Sequence, residues 1–149
     1  MDEACDISRR PPAPEGNPED GAIADALRAA KRIAVIGISA KPGRASLDVA
    51  RYLQDHGYEI LPVNPMLKEW EGIECHPSLN EVPGPVDIVD IFRKPGSVGE
   101  LVEEIIAKKP KWAWLQLGIV NNEAAAQIRK AGIKVVQDRC IKIEHARLI

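Results

Sequence analysis

The stretch Gly37-Ile38-Ser39-Ala40-Lys41-Pro42-Gly43-Arg44 decides the fold of this 149-residue chain. It follows the apolar run Ile33-Ala34-Val35-Ile36 and precedes a helical pattern that extends from about Ala45 to His56. A strand, a glycine-containing turn and a helix in this order place backbone N–H groups and the positive end of a helix dipole around one point. The stretch therefore predicts an anion site, and the cations Lys41 and Arg44 favour a phosphorylated ligand.

The same stretch departs from the fingerprint of dinucleotide-binding proteins. That fingerprint reads G-x-G-x-x-G and is followed about 20 residues later by an acidic residue. Here Ser39 replaces the second glycine, Gly43 comes one residue late, and the next strand ends in the neutral pair Asn64-Pro65. These departures weaken NAD as the ligand, but a small NAD(P)-binding oxidoreductase stays open as the alternative. A sharp turn without a ligand is the simplest alternative, because glycine is common at turns.

Composition excludes several other classes of protein. The chain is 45% hydrophobic and 28% charged, with a net charge of −2, which is typical of a globular domain. The missing basic surplus disfavours nucleic acid as a partner, and no apolar run reaches the length of a membrane span. Three scattered cysteines, Cys5, Cys75 and Cys140, fit a reducing compartment better than a disulfide scaffold. We predict a cytoplasmic protein that binds neither nucleic acid nor membranes.

Two regions are predicted along the chain. Residues 1–20 contain four prolines among charges and glycines, which is typical of a flexible tail. Residues 21–149 form a single domain, in which hydrophobic runs with strand character alternate with amphipathic helical patterns. The predicted strands lie at residues 33–38, 58–63, 86–92, 112–117 and 133–136, and the helices at about 22–31, 45–56, 98–106 and 122–131. This alternation predicts an α/β, Rossmann-like open parallel sheet of about five strands with helices on both faces.

Several shorter features are also predicted. Capping boxes formed by Ser78 with Glu81 and by Ser97 with Glu100 start helical turns. Residues 73–75 are a possible edge strand, and residues 138–149 are a tail that a pair of Glu144 with His145 holds on the domain.

Ligands of open parallel sheets bind at the C-terminal ends of the strands. In this chain those ends lead into the loops at residues 37–44, 63–65, 92–95, 116–118 and 137–140. The motifs in and around them are Val35-Ile36-Gly37-Ile38-Ser39 with residues 41–44, Pro62-Val63-Asn64-Pro65, Val86-Asp87 with Ile91-Phe92-Arg93, Trp114-Leu115-Gln116-Leu117-Gly118, and Asp138-Arg139-Cys140 with residues 142–148. Together they resemble the small stand-alone coenzyme A-binding proteins, whose domain is similar to the CoA-binding domain of succinyl-CoA synthetase. The resemblance extends over residues 22–149.

The resemblance implies a Rossmann-like fold that binds CoA or an acyl-CoA, and it implies a role for each matching residue. Gly37, Ser39 and the turn from Lys41 to Arg44 would hold the diphosphate, and Ala40 between them would also bind the cofactor. The remaining residues would line the nucleotide pocket (Asn64, Pro65), flank the adenosine (Phe92, Arg93, Lys94) and lie beside the cofactor (Gln116, Gly118).

The charge of CoA agrees with the cations of these loops. A diphosphate and a terminal phosphate carry about four negative charges near neutral pH. Four cations lie in the predicted ligand loops, namely Lys41, Arg44, Arg93 and Lys94.

No residue pattern predicts catalysis or a metal site. Cys140 has none of the motifs that surround catalytic cysteines, and Asp87 and Asp90 are three apart in a strand, so they face opposite sides. A zinc site made of Cys75, His76, Cys140 and His145 would need two remote loops to converge with tetrahedral geometry. We predict a binding protein that is not an enzyme. An interaction protein with a vestigial nucleotide site stays open as a third hypothesis, as does a homodimer or a protein partner.

Overall fold

Seven strands form two sheets in the computed structural model, which describes residues 12–149. In chain order they are β1 (Arg32–Ile36), β2 (Glu59–Val63), β3 (Glu69–Trp70), β4 (Ile73–Glu74), β5 (Ile88–Ile91), β6 (Trp112–Leu115) and β7 (Lys134–Val136). Five of them build a parallel sheet in the order β2-β1-β5-β6-β7, while β3 and β4 form a separate antiparallel hairpin. The predicted five-stranded parallel sheet is therefore confirmed.

Five α-helices accompany the strands in the described part of the chain: α1 (Asp20–Ala29), α2 (Ala45–Asp55), α3 (Val102–Lys108), α4 (Asn122–Lys130) and α5 (Ile141–Leu148). Within residues 12–149, two 3₁₀ segments, Leu79–Glu81 and Pro95–Leu101, connect the hairpin and β5 to their neighbours. Side chains of α1, α2 and α5 pack in one buried cluster with Ile33, Val35 and Trp114 of the sheet. Side chains of α3 and α4 pack in a second cluster with Ala34 and Ile36. Helices cover both faces, as expected for a Rossmann-like fold.

Proline occupies an unusual place in β2, because Pro62 lies inside a strand. Pro62 pairs with Val35 of β1, and β2 is an edge strand of the sheet. The Pro62 carbonyl accepts a hydrogen bond from the His76 N–H (3.0 Å), which lies outside the sheet edge. The nitrogen and carbonyl of one strand residue point to the same side, so the missing N–H of Pro62 faces outward and costs the sheet no hydrogen bond.

The C-terminal segment corrects one prediction. Residues 138–149 are not an irregular tail, because residues 141–148 form α5. Glu144 and His145 do not pair with each other, and of the two only His145 forms a polar contact with the rest of the described domain, because both ion-pair partners of Glu144 belong to the segment itself. Glu144 forms ion pairs with Arg147 and Arg139, and His145 forms a hydrogen bond with the Tyr52 hydroxyl at 2.9 Å.

Both predicted capping boxes differ from the structure. Ser97 lies inside the 3₁₀ segment Pro95–Leu101, and α3 begins only at Val102. Ser78 does precede a short helical turn, but its hydroxyl caps no backbone amide there. The Glu104 carboxylate accepts a hydrogen bond from the Leu79 N–H (3.1 Å), so a tertiary contact satisfies the first amide of this turn. The possible edge strand at residues 73–75 is half of the β3–β4 hairpin and not part of the main sheet.

The predicted N-terminal tail lies partly outside the described residues, which begin at residue 12. Residues 13–17 lie along α4 and β7. The Asn17 side chain exchanges two hydrogen bonds with the backbone of Gln137, and Arg129 donates to the Glu15 carbonyl at 2.8 Å. The division of the chain at residue 20 stays a prediction.

The strand order also locates a crevice. From β1 the chain crosses to β2 on one side, whereas β5 joins β1 on the other side. The loops that follow β1 and β5 therefore diverge at the C-terminal edge of the sheet, and such a switch point is where open α/β sheets bind ligands.

Candidate functional site

A cleft of about 480 Å³ opens at the C-terminal end of β1. Its size is that of a typical small-molecule site. One wall is the loop of residues 37–44, which we call the phosphate loop after the ligand predicted for it, and the start of α2 adjoins it. The residues that line the cleft are Gly37, Ile38, Ser39, Ala40, Lys41, Arg44, Ala45, Ser46, Asn64, Met66, Leu67 and Phe92.

Gly37 begins the phosphate loop and touches the loops of two neighbouring strands. Its N–H donates to the Val63 carbonyl at the end of β2 (2.9 Å). Its φ is +84°, and a Cβ built at this position would lie 2.3 Å from the Phe92 carbonyl oxygen. Only glycine combines this backbone conformation with so close an approach. Gly37 therefore allows the loops after β1, β2 and β5 to meet at the switch point.

Hydrogen bonds from outside the phosphate loop hold two of its carbonyls. The Asn64 side-chain amide donates to the Ile38 carbonyl (2.7 Å), and the Trp70 indole N–H donates to the Ser39 carbonyl (3.0 Å). The Ser39 N–H in turn donates to the Ser46 hydroxyl at the start of α2 (3.0 Å). The shape of the loop thus depends on β2, the hairpin and α2 together.

Groups that attract an anion lie where α2 begins. Arg44 is the N-cap residue, and its side chain makes no capping hydrogen bond in the described part of the chain. Within residues 12–149, the backbone amides of Ala45 and Ser46 have no hydrogen-bond acceptor. Both residues line the cleft together with Lys41 and Arg44, whose side chains are cationic. Free amides at a helix N-terminus and nearby cations are the arrangement that binds phosphate.

A smaller cavity of about 100 Å³ lies on the other side of Gly37. Two predicted ligand residues, Pro65 and Arg93, line it. Glu104 is also part of the lining, and its carboxylate already binds the Leu79 N–H. The cavity adjoins the main cleft, because Gly37 lines both.

The structure therefore brings nine of the twelve predicted site residues together around Gly37. Seven line the main cleft (Gly37, Ser39, Ala40, Lys41, Arg44, Asn64 and Phe92), and two line the smaller cavity (Pro65 and Arg93).

The other three predicted residues line neither cavity. Gln116 is buried and its side-chain oxygen accepts the Ile141 N–H (3.0 Å), so it supports the start of α5. The Gly118 N–H donates to the Asp138 carboxylate at 2.7 Å. Lys94 is exposed and precedes the 3₁₀ segment Pro95–Leu101. Their contact with a cofactor stays a prediction.

Six residues of the site were missed by sequence reasoning. Ile38 lies inside a predicted loop, and four others follow a predicted loop by one or two residues, namely Ala45, Ser46, Met66 and Leu67, so a wider reading of those loops would have included them. Trp70 contacts the loop across 31 positions of sequence, and no local pattern signals such a contact.

No cysteine thiol of residues 12–149 forms a hydrogen bond with a histidine ring. Burial raises the pKa of the Cys75 thiol, although a hydrogen bond to the Asn64 carbonyl opposes the shift. His145 binds Tyr52 and not Cys140. Among residues 12–149, no three His, Cys, Asp or Glu side chains are placed so that they could hold a metal ion.

Asp90 is the most isolated polar side chain in the described part of the chain. It lies in β5 between Val35 of β1 and Trp114 of β6, and 0% of it is exposed. Neither of its carboxylate oxygens has a hydrogen-bond partner among residues 12–149. Burial raises the pKa of Asp90 well above its ordinary range, because a charge without a partner is costly there. Asp87, three residues earlier, instead accepts hydrogen bonds from the Lys31 and Arg32 amides.

None of the helices in residues 12–149 combines the length and the apolar character that crossing a bilayer requires.

Comparison with known proteins assigns the family. A family model described as a CoA binding domain matches residues 31–146. The Bacillus subtilis protein YneT is 42% identical over 130 residues, which are 87% of this chain and 96% of YneT. A solved structure from Thermus thermophilus is 41% identical, with a TM-score of 0.86, and the match covers 89% of this chain and all of that one.

Larger proteins contain a similar segment. An ADP-forming acetate–CoA ligase of Archaeoglobus fulgidus is 26% identical over 121 residues, which are 74% of this chain but only 18% of the ligase. With the family model matching more than three quarters of its length, the chain belongs to the CoA-binding domain family.

Proposed function

We propose that this protein binds coenzyme A or an acyl-CoA in the cleft beside Gly37, with the diphosphate on the phosphate loop and the start of α2. One observation carries the proposal. The uncapped N-terminus of α2 and the side chains of Lys41 and Arg44 line the same cleft at the switch point of the sheet. Membership of the CoA-binding domain family supports this ligand.

The cations of the site are available for phosphate. Within residues 12–149, Lys41, Arg44 and Arg93 form no salt bridge with an acidic side chain. Lys41 and Arg44 line the cleft and Arg93 lines the adjoining cavity, so they can neutralise phosphates at two places. A CoA molecule offers two such places, because its diphosphate and its terminal phosphate are separate groups.

We also propose that the protein binds its ligand without catalysing a reaction. A nucleophilic cysteine needs a lowered pKa or an adjacent base. The Cys75 pKa is raised, and the ring nitrogen of His145 that faces Tyr52 is occupied by its hydroxyl. No observation favours the oxidoreductase alternative. Both polar atoms of Asn64, at the position where NAD enzymes have an acid, bind the backbone of Ile38 and Met66.

Replacement of the two loop cations tests the site. The double variant Lys41→Ala/Arg44→Ala should bind CoA roughly 100-fold more weakly, because each charge-assisted hydrogen bond to phosphate contributes about 1.5 kcal/mol. Isothermal calorimetry measures the change, and the salt dependence of binding should also decrease. The matched control is Lys31→Ala/Lys130→Ala, which removes two exposed cations outside the cleft and should bind like the parent. Unchanged affinity in the loop variant would show that CoA binds elsewhere.

A further inference from the structure

We propose that Trp70 is a positioning residue for the phosphate loop: its indole N–H holds the Ser39 carbonyl and thereby directs the Ala40 amide toward the ligand. The proposal rests on the proposed CoA function and identifies a residue, outside the cleft, on which affinity depends. Trp70 does not line the cleft, and 0% of it is exposed, so it acts through the loop and not by touching the ligand.

Trp70 lies in a hairpin that is held by hydrogen bonds and is attached to α2. Trp70 pairs with Ile73 in the β3–β4 hairpin, and the Cys75 N–H donates to the Lys68 carbonyl just before it (2.9 Å). An ion pair between Glu71 at the hairpin tip and Arg51 of α2 ties the hairpin to the helix that starts at the cleft. Trp70 also packs in one buried cluster with Leu47 and Leu53 of α2, so the indole donor is held close to that helix.

The peptide group between Ser39 and Ala40 relates the contact with Trp70 to the cleft. In a trans peptide the carbonyl and the following N–H point in opposite directions within one plane. Trp70 holds the Ser39 carbonyl at 3.0 Å, so the Ala40 N–H points away from Trp70. Ala40 lines the cleft, and within residues 12–149 its N–H has no hydrogen-bond acceptor. The amide is thus left as a free donor at the site.

Two successive peptide planes of the phosphate loop are held in the same way, each by a hydrogen bond to its carbonyl. Asn64 fixes the Ile38 carbonyl (2.7 Å) as Trp70 fixes that of Ser39. A loop whose donors are oriented before the ligand arrives loses less conformational freedom on binding, which increases affinity. A buried indole N–H also needs an acceptor, so the same hydrogen bond satisfies Trp70.

The test is calorimetric titration of CoA into the parent, Trp70→Phe and Trp112→Phe. Trp70→Phe keeps an aromatic ring and removes the indole donor, and its CoA affinity should fall about 5- to 20-fold. Trp112→Phe is the matched control, because Trp112 is also buried but begins β6 at the opposite end of the sheet. Its affinity should stay within about twofold of the parent.

Nuclear magnetic resonance of the parent gives a second test. If Trp70 had only a structural role, its indole proton would not respond to CoA. CoA should shift the Ala40 amide proton and, through polarisation of the shared peptide group, the Trp70 indole proton, while the Trp112 indole proton stays in place. In Trp70→Phe the Ala40 amide should exchange with solvent faster and shift less with CoA. The parent measurement decides the matter even if Trp70→Phe does not fold.

The outcomes separate the two proposals. If the parent binds CoA and Trp70→Phe binds it with equal affinity, the positioning role alone is overturned. The positioning role would also be overturned if CoA shifted the Ala40 amide proton but left the Trp70 indole proton unchanged. A parent that binds no CoA would overturn the proposed function, and the positioning role with it.

Discussion

At the scale of single residues, Gly37 and Asp90 show two different environments near the C-terminal edge of the sheet. Gly37 directly follows β1, where the Phe92 carbonyl leaves no room for a side chain, and it lines the cleft. Asp90 lies two residues before Phe92, inside the strand, where its carboxyl group is fully buried and has no partner among the described residues. Gly37 allows the loops around the cleft to meet, and we expect Asp90 to lower stability wherever its buried carboxyl group must ionise.

The pH dependence of stability should reveal the isolated carboxyl group. Because the folded-state pKa of Asp90 is raised, its contribution to stability is present below the ordinary pKa of 3.8 and is lost as pH rises toward the folded value. The loss is up to about 1.4 kcal/mol per pH unit in that window. Asp90→Asn removes the titration, so the variant should gain stability relative to the parent as pH increases.

Urea unfolding at pH 4, 5.5 and 7 measures this difference. Asp25→Asn is the control, since the Asp25 side chain is 83% exposed and should show no such trend. A stability difference between Asp90→Asn and the parent that does not change with pH would mean that the carboxyl group has a partner in solution.

At the scale of elements, α5 shows which contacts attach the C-terminal segment to the sheet. The Gln116 side chain accepts the Ile141 N–H at its start, the Tyr52 hydroxyl binds His145 in its middle, and Arg147 forms an ion pair with Asp20 of α1 near its end. These contacts are polar, and of the apolar residues of α5 only Ile141 is buried. The docking of α5 should therefore respond to pH.

His145 gives that response a direction. Burial lowers the pKa of His145, and the charge of the nearby His56 lowers it further. Its contribution to stability is therefore present above the ordinary pKa of 6.5 and is lost as pH falls below it. His145→Gln should make thermal stability less sensitive to pH between 7 and 5, as measured by circular dichroism.

His76→Gln serves as the control, because His76 lies beside Glu74 and outside the cluster of Tyr52, His56 and His145. The control should keep the acid-induced loss of the parent. An equal loss in His145→Gln would show that another group is responsible.

The same helix explains one limit of sequence-based prediction. Amphipathic helices are recognised by an apolar stripe, and α2 has one in Leu47, Ala50 and Leu53. In α5 the buried face consists of Ile141 with Glu144 and His145, so hydrophobic periodicity indicates no helix. The predicted cap of the segment Leu79–Glu81 was wrong for a related reason, since the side chain that binds its first amide is Glu104 of α3, which is remote in sequence.

At the scale of the whole molecule, the sequence predicted the parallel sheet and the edge at which the candidate ligand loops meet. It did not predict the side chains that hold those loops from behind. Strands with apolar runs and a glycine turn are local signals, and they predicted the crevice in which nine of the twelve expected residues lie. The contact between Trp70 and Ser39 joins two segments that no local pattern relates. Gln116 lies in one of the motifs of the family, but its side-chain oxygen accepts a hydrogen bond from the start of α5.

Calorimetry of the purified protein with CoA, and with NAD and NADPH as parallel titrants, tests the central claim most directly. We expect one CoA to bind per chain, with neither nicotinamide nucleotide displacing it at similar concentration, because the cleft combines an uncapped helix start with Lys41 and Arg44 but has no acid for a ribose. Binding of NADPH in preference to CoA, or no binding of CoA at all, would contradict the claim.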